Sequence, residues 1–128
     1  METITHDAVD GSYAPTADYA HAVELRGAGR LLFTAGTMGL DPAGSAGASL
    51  AEQLALVWAN LRAILAAAGM TADNIVRVTS YLRDGAFAEA NAAARGAALG
   101  GRPVATTAVV VGTLSDDWLV ELEVVAAA

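Results

Sequence analysis

The 128-residue chain contains no cysteine, which removes disulfides, thiol nucleophiles and thiolate metal sites together. It also contains no lysine, which excludes a Schiff base and with it ordinary pyridoxal-phosphate chemistry. All seven basic residues are therefore arginines. They stand against 14 acidic residues, and the formal charge of −7 argues against binding nucleic acid through its phosphates. Histidine is limited to His6 and His21, too few for an all-imidazole metal site. No ligand-spaced carboxylate cluster accompanies them, so neither metal nor cofactor is expected. Proline is scarce, at 3, and 55% of the residues are hydrophobic, which excludes wholesale disorder. No run approaches the roughly 20 apolar residues of a membrane span, and Ala105 to Leu114 is about half that. The N-terminal Met1-Glu2-Thr3-Ile4 has neither a basic nor an apolar leader region, so a cytoplasmic protein with no membrane association is expected.

The chain is long enough to bury a core without staples, as one domain over residues 1–128. Asp41 to Ser49 is rich in breakers and reads as a loop. It ends in Ser49-Leu50-Ala51-Glu52, a capping box, and the helix it opens carries Leu50, Leu54, Val57, Leu61, Ile64 and Ala68 on one face. Gly69 sits where a terminating glycine belongs, so a helix is predicted over 49–68. A second helix is predicted from Asp84 or Gly85 to Leu99, stopped by Gly100-Gly101. Its small face (Phe87, Ala90, Asn91, Ala94, Ala98) would let it approach a sheet closely.

Strands are predicted near Thr3–Thr5, at Ala20–Leu25 and Leu31–Ala35, then at Ile75–Arg83, Val104–Val111 and Leu119–Val125. In Ile75–Arg83 the alternation puts Val76, Val78, Ser80 and Leu82 on one face. The order is β-β-β-α-β-α-β-β, an α+β domain with two helices packed on one face of a six-stranded mixed sheet. Val104–Val111 is largely apolar on both faces, yet two helices cover only one. An uncovered apolar face predicts a partner subunit, hence a homo-oligomer.

Several segments then carry a resemblance. They are Ala14-Pro15 with Tyr19-Ala20-His21-Ala22-Val23, Leu31 to Gly36 with Asp41-Pro42, and Glu52-Gln53 with Asn60-Leu61 and Leu65 to Gly69. Phe87 with Asn91, Arg102 to Thr107, and Val120-Glu121-Leu122-Glu123 complete the series. In this order and spacing, over nearly the whole chain from about Ala14, they resemble the Rid family of small trimeric proteins (RidA, also called YjgF). The resemblance implies a chorismate-mutase-like homotrimer with pockets between subunits. It also implies hydrolysis of reactive enamines and imines, such as 2-aminoacrylate, to ammonia and a 2-keto acid.

Residue by residue, the resemblance makes Glu121 the catalytic group that handles the attacking water. Tyr19, Gly36 and Asn91 become small-molecule-binding residues, with Ala105, Thr106 and Thr107 on the next-to-last strand. The family's carboxylate-binding Arg is missing. Where the family reads Pro-Ala-Arg-Ser, this chain reads Pro103-Val104-Ala105-Thr106. A charge-assisted bidentate contact worth roughly 1.5–3 kcal/mol is absent from that position. Arg102 lies three residues earlier, and strand alternation aims it at the other face. The expected pocket is wider, less charged and richer in hydroxyls, suited to a small imine, enamine or unsaturated metabolite other than 2-aminoacrylate itself.

Each residue also has a plainer role open to it. Glu121 could be a structural ion pair with Arg77 or another Arg, and Glu123 fits that description better still. Tyr19 could simply pack, and His21 could be a hydrogen-bonded strand residue. Thr106 and Thr107 are of a type common in strands. A non-catalytic trimeric module that binds a metabolite or a protein therefore stands as the alternative. A nuclease is disfavoured by the negative charge and the scattered arginines.

Overall fold

A computed structural model describes all 128 residues. The strands are β1 (Glu2–His6), β2 (Tyr19–Ala20), β3 (Ala22–Arg26), β4 (Leu31–Phe33), β5 (Thr37–Met38), β6 (Ile75–Leu82), β7 (Val104–Val110) and β8 (Val120–Ala127). The helices are α1 (Leu50–Ala67) and α2 (Ala88–Ala98). Six strands form one mixed sheet in the order β2-β7-β6-β8-β4, with β5 also on β8. The pairings β2–β7 and β7–β6 are parallel, and those of β8 with β6, β4 and β5 are antiparallel. The fold is α+β with two helices, as expected.

Strand membership differs from the expectation at the N-terminal end. The predicted strand Ala20–Leu25 is broken at His21, whose N–H goes to Asp7 Oδ1 at 2.9 Å instead of into a ladder. β2 stays on the main sheet, and β3 leaves to pair with β1 in a separate two-stranded sheet. The sixth strand of the main sheet is instead Thr37–Met38, too short to carry a periodic signal.

Helix α1 begins at Ser49, whose Oγ accepts the Glu52 N–H at 3.2 Å. The Glu52 carboxylate reaches back to Ala48 N rather than to Ser49 N, so the box closes one residue early. At its other end Met70 N–H goes to Leu65 O and Gly69 N–H to Ala66 O, with Gly69 at φ +68. This double closure caps the last carbonyls and needs a residue without Cβ at that left-handed position. α1 has the length and apolarity of a membrane span, but Leu54, Val57, Trp58, Leu61 and Leu65 along it are buried in the core.

The second helix starts as a 3-10 turn, Gly85–Phe87, capped by the Asp84 carboxylate on Ala86 N. Of its predicted face, Asn91 is buried and Phe87, Ala94 and Ala98 pack against the core, joined by the buried Arg95 and Leu99, whereas Ala90 is exposed. Ala90, Ala93 and Ala97 are exposed and line an open groove against α1, because a methyl group is too short to fill the space between the helices. Arg95 is buried because its Nη2 reaches Asp18 Oδ2 at 2.7 Å.

The helices cover one face of the sheet. Val78, Leu82, Val120, Leu122, Val124 and Ala126 join the α1 residues in a single core cluster. The register shifts between Ile75 and Arg77, which alters the predicted alternation. Ile75 enters the core while Val76 does not, since one extra residue in a strand swaps the facing of everything before it.

Candidate functional site

The opposite face of the sheet has no helix over it. Register places Glu121 beside Tyr81 and Met38, Glu123 beside Thr79, and Val125 beside Arg77 and Phe33. Across β7 the same rows continue to Val109, Thr107 and Ala105. The outer face is therefore a polar strip on β6 and β8 with apolar flanks. Leu31 and Phe33 on β4 are 55% and 70% exposed, and Val109 on β7 is 41% exposed.

Glu121 and Gly36 are brought together. Between Phe33 and Thr37 the chain takes four steps, while its partner takes three from Val125 to Leu122. The extra residue kinks the strand, and Gly36 lies in the kink. A Cβ on Gly36 would stand 2.9 Å from Glu121 Cδ and closer still to Oε2, so only glycine lets the backbone approach this carboxylate. Bulges of this kind commonly re-aim groups beside a site. No arginine within the chain pairs with Glu121, because Arg77 lies four residues down β6 from Tyr81.

Two α1 residues from the sequence pattern hold this corner in place. Gln53, 2% exposed, donates through Nε2 to Gly47 O at 3.0 Å and Asp117 O at 2.8 Å. Its Oε1 accepts Leu119 N–H at 2.9 Å, which ties the start of β8 to the helix. Asn60 Nδ2 donates to Met38 O and Leu40 O at 3.0 and 2.9 Å, fixing β5. Each bond satisfies a backbone group that would otherwise be orphaned at the end of a short strand. Glu121 then lines a hollow of about 180 Å³ with Tyr81, Val111, Gly112, Thr113 and Leu114.

Glu123 is engaged differently. Tyr81 Oη donates to Glu123 Oε1 at 2.7 Å. This bond is the chief reason the Tyr81 phenol is held above its ordinary pKa, with burial and the two carboxylates adding to the effect.

At the other end of the sheet β2 runs beside β7, with Ala20 opposite Ala105 and Tyr19 opposite the core residue Val104, so Tyr19 falls in the row of the helix-covered face rather than with Ala105. His21 follows Tyr19 there, their rings tilted at 6.2 Å between centroids. His21 Nδ1 accepts Ala8 N–H at 3.0 Å, which leaves the proton on Nε2. That Nε2 is buried and has no partner. His21, Ala22, Val23, Val76, Arg77, Ala105 and Val125 enclose a hollow of about 360 Å³. Arg77 stands beside Ala105 in the β6–β7 pair, and its Nη2 reaches Thr107 Oγ1 at 3.3 Å.

Two predicted residues lie elsewhere. Thr106 pairs with Val78 on the helix-covered face, and its hydroxyl donates to Val104 O at 3.0 Å. Strand alternation thus separates it from Thr107. Asn91 is 1% exposed in the helix layer, on the far side of the sheet from Glu121, and both its side-chain polar atoms lack partners. Arg102 is also committed, donating to Ile75 O at 2.9 Å and Ala72 O at 3.0 Å.

Comparison with known proteins accords with this architecture. Protein DfrA of Myxococcus xanthus is 34% identical over 131 residues, covering 98% of each chain. The solved Rid protein YyfB of Yersinia pestis superposes with a TM-score of 0.82 at 27% identity, covering all of both chains. RidA from an Antarctic Psychrobacter gives 0.74 at 26% identity, over 90% of this chain and 92% of that one. The family model described as endoribonuclease L-PSP matches residues 10–128, so the chain belongs to that family, the Rid proteins.

Proposed function

We propose that the protein is a Rid-like hydrolase of small reactive imines or enamines, working in pockets between the subunits of a homotrimer. The observation that carries this reading is the close approach of the Gly36 backbone to the Glu121 carboxylate. A carboxylate beside an open hollow and a backbone kink can take a proton from water as its oxygen adds to an imine carbon. The proton then passes to the nitrogen, and the carbinolamine collapses to a carbonyl compound and ammonia.

Register supports the need for a second subunit. Tyr81, beside Glu121, is four residues along β6 from Arg77, beside Ala105. At about 3.3 Å per residue this is about 13 Å along the strand alone, with two strand spacings of about 4.8 Å across it. A small imine cannot bridge that gap within one chain. The Glu121 group of one copy and the Ala105 and Thr107 group of another would meet across an interface. The open outer face, with exposed Phe33 and Leu31, supports such an assembly.

Cleavage of RNA is a poorer reading. Arg30, Arg83, Arg95 and Arg102 are engaged by backbone carbonyls or by aspartates within the chain. The remaining charge is strongly negative. The test is ammonia release from imines formed in place, comparing the native protein with Glu121→Gln. We expect turnover by the parent and a loss of at least about 100-fold in the variant. Equal rates would refute a catalytic Glu121. No turnover by either, with a metabolite retained through purification, would favour the binding module.

A further inference from the structure

We propose that Arg83 is a positioning residue for the candidate site: its guanidinium clamps the loop that walls the Glu121 hollow and so sets where water and substrate stand. The proposal rests on the hydrolase reading and adds to it a residue that touches no reacting atom.

The need for a clamp comes from topology. β6 lies between β7 and β8 in the sheet, parallel to the first and antiparallel to the second. The chain leaving β7 at Val110 therefore passes over the end of β6 before it enters β8 at Val120. Residues 111–119 make this crossing with no helix or strand of their own. Val111, Gly112, Thr113 and Leu114 of this loop line the hollow, with Tyr81 and Glu121 from the strands. The wall of the site is thus largely loop, the kind of element that opens most readily unless it is tied down. Packing of its apolar tip does not tie it, since Leu114 is 95% exposed.

Arg83 stands where the loop crosses. It directly follows β6, and its own N–H is bonded to Leu119 O at 3.0 Å, so the backbone beneath the side chain is fixed. Nη1 donates to Thr113 Oγ1 at 2.8 Å and approaches the carbonyls of Thr113 and Ser115 at 3.3 and 3.4 Å. Nη2 donates to Asp116 Oδ1 at 3.0 Å. The Thr113 hydroxyl turns its hydrogen toward Ser115 O and Trp118 O, at 2.9 and 2.7 Å. Ser115 O also accepts the Trp118 N–H at 3.1 Å.

One guanidinium therefore gathers Thr113, Ser115 and Asp116 onto the end of a core strand. The Asp116 carboxylate is 97% exposed, so water screens that ion pair and it adds little. The part-buried bonds to Thr113 and Ser115 carry the clamp, because they satisfy loop groups that would otherwise lack partners. Lysine is a poor substitute, since a compact ammonium on a flexible stem cannot reproduce a planar fork of five donors. A hollow whose wall shifts by about 1 Å can lose about 100-fold in rate, because water and imine no longer meet in line.

The test compares the full-length native protein with Arg83→Ala and Arg83→Lys. Ammonia release is followed from the imines of alanine and leucine, each formed in place by an amino-acid oxidase. In Arg83→Ala, kcat should fall about tenfold or more for both imines. Millimolar guanidinium chloride, far below denaturing concentrations, should restore part of that loss, whereas sodium chloride should not. Arg83→Lys should fall between the native protein and Arg83→Ala. Circular dichroism and native mass spectrometry establish that the variants remain folded and assembled. A second readout needs no turnover. The Asp117 and Trp118 amides are bonded to Ser115 Oγ and Ser115 O, and their hydrogen exchange should quicken about tenfold or more in Arg83→Ala while that of Val78 and Ser80 in β6 stays as in the native protein. Unchanged exchange in the loop would overturn the proposal, as would unchanged kcat in a variant whose loop has loosened, or equal rescue by both salts. A native protein that releases no ammonia from either imine would refute the hydrolase reading, and quickened exchange confined to the loop would still uphold the clamp.

Discussion

The two faces of the main sheet are built from the same strands and meet different ends. On one face of β8, Val120, Leu122, Val124 and Ala126 are at most 2% exposed beneath the helices. On the other, Glu121, Glu123 and Val125 remain partly open. Adjacent residues of one strand thus serve separate purposes. The covered face supplies stability by removing apolar surface from water, at roughly 1.5–3 kcal/mol for each fully buried large side chain. The open face holds the groups with chemistry, positioned by a frame whose rigidity comes from the first face. Gln53 and Asn60 join the two, since both lie on the core helix and both fix backbone next to Glu121. A site mounted on such an element is held more firmly than one carried by a loop.

Mutation of neighbouring residues should expose this division most clearly. Leu122→Ala removes a fully buried side chain from the covered face, and a loss of about 2–5 kcal/mol in unfolding free energy is expected. Glu121→Gln, one residue away and outward-facing, should change stability by less than about 0.5 kcal/mol while removing activity. Urea denaturation of the two variants measures the contrast. Comparable losses would mean that the faces are not energetically distinct.

A smaller effect is expected at the ion pair that buries a charge in the helix layer. Arg95 is 5% exposed in its side chain and Asp18 is 48% exposed. The Asp18 carboxyl is held below the usual value, chiefly by the Thr16 hydroxyl, with Arg95 contributing against the cost of partial burial. A lowered folded-state value means that the stabilisation is present above the unfolded value near 3.8 and is lost as pH falls through the folded one. Asp18→Asn should cost about 1–2 kcal/mol near neutrality, less than a wholly buried pair because water screens the aspartate. The gap from the native protein should close as pH drops below 3.8. A pH-independent gap would assign the cost to packing.

Gly36→Ala should show the smallest effect on stability and a clear one on function. The added methyl meets the far end of the flexible Glu121 side chain rather than backbone. The fold should survive with a change under about 1 kcal/mol, while the displaced carboxylate lowers turnover by about tenfold or more. Unchanged turnover would remove the close approach as the basis of the site.

Most of the architecture was readable from local rules. Ser49 and Glu52, Gly69, and Gly100-Gly101 bounded both helices because caps are short-range chemistry. The apolar rows of α1 and β8 gave their buried faces because periodicity reports which side meets water. Glu121 and Gly36 were recognisable through resemblance, and register then placed them side by side. Thr106 and Asn91 were matched by the same resemblance, but the fold puts both on the covered side. The two-residue strands β2 and β5 were invisible for a simpler reason, since two residues cannot display a period.

What the amino-acid order determined by itself is the set of elements and their apolar faces, because propensity, capping and alternation act over a few residues. Only the tertiary structure decided which distant side chains share a location. It brought Arg77 beside Ala105, buried Arg95 against Asp18, committed Arg102 to carbonyls, and turned Ile75 inward through a shift of register. Those outcomes depend on strand pairing and on which face each residue presents. Pairing is a contest among many segments for the same hydrogen bonds, settled by the packing of the whole chain.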